Sequence, residues 1–179
     1  MRMRLQSTLL LIGMVVGSLL AIHMMPTQGT NVNAGSVSGV WNVGDSPFYI
    51  NGDITVGSSD SLTIQPGVTV YFNGYYSLIV QGKLIAAGTQ NNNITFAWVG
   101  GGSDRNKWGG ISLYSSTRPS TISYCNIMNA RIAIASYGSF NNILTFNTIR
   151  YNSAGILISA AEGNAIIHNE IYENSDSAI

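Results

Sequence analysis

Charge is scarce in this chain. Of 179 residues, eight are Lys or Arg and eight are Asp or Glu, 9% in all, with a formal net charge of zero. Soluble domains usually carry roughly 25% charged residues. The shortage excludes an electrostatic nucleic-acid binder, which needs clustered Lys and Arg to neutralise phosphates. Cysteine is scarcer still: Cys125 is alone, so no intramolecular disulfide framework exists. Proline occurs four times against twenty glycines, which favours many tight turns over a proline-rich linker. Hydrophobic residues make up 45%, too many for disorder of the usual kind. Beyond the first 34 residues no apolar face with helical spacing extends over ten residues or more.

What is present begins with an address. Arg2 and Arg4 precede an apolar run from Leu9 to Met25 that contains no charged residue. A basic start, an apolar middle and the small-residue pattern Val32-Asn33-Ala34 describe a secretory signal cut after Ala34. The run also meets the lower length limit for crossing a bilayer, so an uncleaved membrane tether through residues 9–25 is the alternative. Both readings carry the rest of the chain out of the cytoplasm, to a secreted or extracytoplasmic cell-surface location.

The remainder repeats itself. Cys125-Asn126-Ile127, Asn147-Thr148-Ile149 and Asn169-Glu170-Ile171 are spaced by 22 residues, as are Asn142 and Asn164. Self-similarity at such a period marks a stacked array. Within each repeat the apolar residues alternate in short runs, for example Leu62 and Ile64, Val68, Val70 and Phe72, and Leu84 and Ala86. Period-2 alternation bounded by Gly, Asn and Ser reads as strands, three per repeat. The expected fold is all-β: a single-stranded parallel β-helix of about five three-strand rungs over residues 54–179, incomplete or uncapped at its C-terminus, with residues 35–53 as an N-terminal lead-in or cap. An antiparallel sandwich has no reason to place Asn-x-Ile at a fixed interval. Stacked rungs do, because an amide at a corner can bond its own turn and its copy one rung away. Cys125, Asn147 and Asn169 are expected to form such a structural ladder, with Cys125 a small inert member.

The segments Asn147 to Asn152 and Asn169 to Asn174, with Gly155-Ile156, resemble the right-handed parallel β-helix repeats of the carbohydrate-binding and sugar-hydrolase group, the pectate-lyase-like superfamily. Leu62 to Val70, Leu84 to Thr89 and Trp108 to Ile111 are similar to the first rungs of extracellular members. The resemblance implies a β-helix on the cell surface. It leaves several activities open: polysaccharide lyase, glycoside hydrolase, adhesin, and periplasmic partner in copper-enzyme maturation. The lyase alternative would bring calcium as cofactor; otherwise none is implied.

Charge and aromatics collect at the corner that closes each repeat. Tyr75, Tyr76, Trp108, Arg131, Arg150 and Tyr151 are the candidates for binding a polysaccharide or cell-surface glycan, since aromatic faces take sugar rings and Arg bonds hydroxyls or carboxylates. The longest insertion, residues 97–107, supplies Asp104, Arg105 and Lys107 as the catalytic candidates. Carboxylates are otherwise scattered, and no His or Cys cluster has zinc or copper spacing, so no metal site is expected. His168 falls at the repeat position of Tyr124 and Phe146 and reads as a turn or wall residue. The chain stops just after a sixth rung opens at Ala178-Ile179. Such an edge calls for cover by further rungs, a cap or another chain.

Overall fold

A computed structural model of the protein describes residues 29–115 and 117–179. The basic start and apolar run of the leader lie outside the described residues. The described chain winds into a parallel β-solenoid whose three sheets run along the stacking axis. Sheet I holds β1 (Thr30–Val32), β4 (Phe48–Ile50), β7 (Thr69–Phe72), β10 (Ile94–Trp98), β13 (Cys125–Met128), β16 (Thr148–Arg150) and β19 (Glu170–Tyr172). Sheet II holds β2 (Gly35–Ser36), β5 (Ile54–Val56), β8 (Ser77–Val80), β11 (Gly110–Tyr114), β14 (Ile132–Tyr137) and β17 (Ala154–Ser159). Sheet III holds β3 (Gly39–Trp41), β6 (Ser61–Ile64), β9 (Lys83–Ala87), β12 (Thr121–Ser123), β15 (Ile143–Thr145) and β18 (Ala165–Ile167). The only described helix is a single 3₁₀ turn, Val43–Asp45.

The alternation in the sequence is the pleat. In β6, β7 and β8 every second side chain is buried, and the outward neighbours are half-exposed. Parallel register then stacks like on like. Ile54, Leu78, Ile111, Ile134 and Ile156 form one inward column of sheet II. Val70, Phe96, Ile127, Ile149 and Ile171 form another in sheet I. Each fully buried aliphatic side chain contributes about 1.5–3 kcal/mol relative to exposure. Larger rings fill the wider sections: Phe72 stacks on Trp108 at 4.0 Å, and Trp41 on Phe48 at 4.4 Å.

The structure extends the solenoid further upstream than the repeat is visible in sequence. Residues 35–53 carry β2, β3 and β4, each paired in parallel with the turn that follows. β1 adds to sheet I ahead of them, with Thr30 to Val32 opposite Phe48 to Ile50. At the other end, Ile156 N–H donates to the Ala178 carbonyl at 2.8 Å, so with the upstream turn included a seventh turn has begun.

One rule governs the corners in the later turns. A residue with positive φ is followed by a ladder Asn. The pairs are Phe146-Asn147 and His168-Asn169 between sheets III and I, Tyr151-Asn152 and Glu173-Asn174 between I and II, and Asn141-Asn142 and Gly163-Asn164 between II and III. Left-handed backbone costs a non-glycine residue roughly 1–2 kcal/mol. The Asn that follows offsets this cost by bonding two turns at once.

Candidate functional site

Three asparagine ladders fix the corners from which any site must be built. Between sheets III and I, the Cys125 N–H donates to Asn147 Oδ1 at 3.0 Å, and the Asn147 N–H and Nδ2 donate to Asn169 Oδ1 at 3.0 and 2.9 Å. Between II and III, the Ser120 N–H donates to Asn142 Oδ1 at 2.8 Å, and Asn142 Nδ2 donates to Asn164 Oδ1 at 2.8 Å. Between I and II, the Ala130 N–H donates to Asn152 Oδ1 at 2.8 Å, and the Asn152 N–H donates to Asn174 Oδ1 at 2.9 Å. A buried polar group needs such partners, and here each ladder amide both accepts and donates.

Outside the first ladder the rings of Tyr124, Phe146 and His168 stack at 4.9 Å per step. Phe146 has a ring on each side, and His168 ends that stack as a wall residue. Cys125 is fully buried and its Sγ donates to the carbonyls of Ser123 and Ala86. Burial holds its thiol far above the ordinary thiol range, so it stays protonated.

The insertion after β10 folds down over the I–II corner. Asn129 Nδ2 donates to the carbonyls of Gly102 and Asp104, at 3.0 and 2.7 Å. Lys107 pairs with Asp104 at 3.3 Å and lies 5.0 Å above the Trp98 ring. Arg105 Nη2 reaches along the axis to the Glu173 carbonyl at 2.7 Å. Asp104 and Lys107 therefore pair within the insertion, while Arg105 points away from them and ties the insertion to a later turn.

The six glycan candidates separate. Tyr75 and Arg131 line one groove on the outer face of sheet II. Tyr76 is half-buried and packs on the core. Trp108 is fully buried, with one face on Phe72 and Nε1 donating to the Met128 carbonyl at 2.8 Å, which leaves no ring face for a ligand. Arg150 and Tyr151 lie elsewhere on the corner, the guanidinium 5.1 Å from the ring centroid. The Tyr151 hydroxyl hydrogen-bonds the Glu173 carboxylate, which raises its pKa above the ordinary phenol value.

The groove is bounded on one side by Tyr75 and Arg131 and on the other by Tyr114 and Tyr137, stacked at 4.9 Å. Its floor is the outward column Ile79, Ser112 and Ala135 of β8, β11 and β14. Ser112 and Ala135 keep their part of that floor low, and Gly110 must stay a glycine: a Cβ there would strike the Ile132 carbonyl, and its φ is +111°. No carboxylate lines the groove. Tyr114 and Tyr137 did not stand out in the sequence, although they sit at the same register position of β11 and β14. A second depression shares Arg131 and Ile132 and adds Asn106, Ser153, Ala154 and Asp176.

Stacked parallel turns and, in the later turns, a ladder at every corner define a class, the ladder-braced parallel β-solenoid. Within it, the chain belongs to the family described as periplasmic copper-binding protein (NosD), whose pattern matches residues 40–179. No curated protein and no solved structure matches the chain. Membership makes the protein an extracytoplasmic β-helix module. Among the described residues no helix is long and apolar enough to cross a membrane.

Copper, which the family description implies, does not fit the donors present. Among the described residues no three His, Cys, Asp or Glu side chains come together. The described residues hold one imidazole, His168, and the single thiol is buried and protonated. Copper sites need converging imidazole or sulfur ligands.

Proposed function

We propose that the protein is a binding module that holds polysaccharide in the groove on sheet II, along the edge of the I–II corner. The observation that carries this reading is the groove itself. Tyrosines stand on both walls, with Arg131 beside Tyr75 and serine hydroxyls from Ser77 and Ser112 between them. Such walls suit a sugar, whose ring faces are apolar and whose rims are hydroxylated. Cleavage is a poorer reading. Glycoside hydrolysis needs two carboxylates flanking the bond, and the groove has none while the adjoining depression has Asp176 alone.

The test is a glycan array followed by a polysaccharide-degradation screen with the purified protein. Saturable binding without product, weakened in Tyr75→Ala and Tyr137→Ala, is the expected result. Product formation overturns the binding-only reading, and no binding to any glycan overturns the groove. A second reading is a part in copper-enzyme maturation, at which the family description, periplasmic copper-binding protein, only hints. That role would be played without a copper site built from the described residues, and stoichiometric copper uptake by the purified protein would favour a metal-holding version of it.

A further inference from the structure

Two separate register columns set the length of the groove on sheet II. Its floor belongs to the outward column in which Thr55, Ile79, Ser112, Ala135 and Leu157 stand on successive turns. Ser112 and Ala135 carry short side chains. Ile79 stands at one end of that low stretch and Leu157, 37% exposed, at the other. The wall belongs to a second outward column, in which Tyr114 and Tyr137 are followed by Ser159. Upstream, β8 ends at Val80, opposite Leu113, one residue short of the wall position. Low floor and tyrosine wall therefore cover the same two turns, those of β11 and β14. Turns stack at strand spacing, so this stretch is about 10 Å long. Tyr75 and Arg131 close its other side, and no residue of β5 or β17 lines it.

We infer that the groove is a two-sugar site: it seats two consecutive pyranose units, further units add no affinity, and Leu157 sets the limit. The inference rests on the polysaccharide reading of the groove. A pyranose unit lengthens a chain by close to one step of this stack, so two units fill the floor over Ser112 and Ala135. Each unit then has one tyrosine of the wall beside it, and a phenol hydroxyl both donates and accepts, as sugar hydroxyls do. A third unit in the direction of β17 meets the Leu157 side chain on the floor column and Ser159 in place of a tyrosine. A third unit in the direction of β8 lies over Ile79 and past the end of the wall. A longer chain therefore lifts off the sheet at both ends, and its outer units stay in water.

The experiment measures calorimetric affinities of the full protein for two series of one to four units. Oligogalacturonides offer a carboxylate to Arg131, and cello-oligosaccharides do not. Within a series that binds, the disaccharide is expected to bind about tenfold tighter than the monosaccharide, the worth of one further net hydrogen bond. Three and four units should match the disaccharide. Leu157→Ala lowers the floor by one more turn, so the trisaccharide should then bind severalfold tighter than the disaccharide. The Leu157 side chain stands on the outer face of sheet II, so the variant is expected to fold. Affinity that keeps rising with the third and fourth unit in the unaltered protein overturns the two-sugar limit while the groove stands. A plateau at two units that Leu157→Ala leaves in place overturns the role of Leu157. Binding of neither series overturns the polysaccharide reading of the groove and this inference together.

Discussion

At the scale of the residue, the ladder asparagines hold the corners. Asn147 is almost fully buried; its Oδ1 accepts from Cys125 N–H, and its Nδ2 donates to the Ile122 carbonyl at 2.8 Å and to Asn169 Oδ1. Asn147→Ala leaves that N–H and that carbonyl without partners in a corner water does not reach. Each orphaned buried group costs about 1–3 kcal/mol. The variant is expected to lose about 2–4 kcal/mol in urea unfolding on that basis, whereas Asn91→Ala, at an exposed turn, should lose little. The Asn repeat was legible because identical amides recur at a constant interval. The residue before each one was not: Tyr151, Phe146, His168 and Glu173 share a positive φ but no chemistry, and only the register of the next turn imposes it.

At the scale of the element, the insertion after β10 departs from the repeat while touching later turns. Its glycines, two of them at positive φ, give it no intrinsic rigidity. The contacts from Asn129, Lys107 and Arg105 supply it. Arg105→Ala removes the bond to the Glu173 carbonyl alone, so the melting temperature should barely move. Proteolysis near Gly100 to Gly102 should accelerate. Equal cleavage rates in the two proteins would show that the Arg105 contact does not restrain the loop. The strands themselves were legible, since alternation and Val, Ile and Thr content mark them one by one. The groove was only half legible. Tyr75 and Arg131 were picked out by their corner, but Trp108, with the same aromatic character, turned inward because Phe72 and the interior of the turn gave it more contact than solvent. Tyr114 and Tyr137 needed the register of β11 on β14 before they became one wall.

At the scale of the whole molecule, a solenoid is stable as the sum of its turns and of the interfaces between them, so each terminal strand protects the edge beneath it. β1 does this for β4. Thr30 N–H donates to the Pro47 carbonyl at 2.8 Å, Asn51 N–H donates to the Val32 carbonyl at 2.9 Å, and Asn51 Nδ2 donates to Asn31 Oδ1 at 3.2 Å. Asn73 continues that column on Asn51. A leader cut after Ala34 would remove β1 and open these bonds to water, leaving Phe48 and Ile50 beside an unpaired edge. A chain beginning at Gly29 is therefore expected to unfold at higher urea than one beginning at Gly35, by about 1–2 kcal/mol if two or three net hydrogen bonds are lost. The shorter chain should also aggregate sooner, because its exposed β4 edge can pair with another chain. Equal midpoints would mean that β1 adds nothing to the stack and that the stable fold starts at β2.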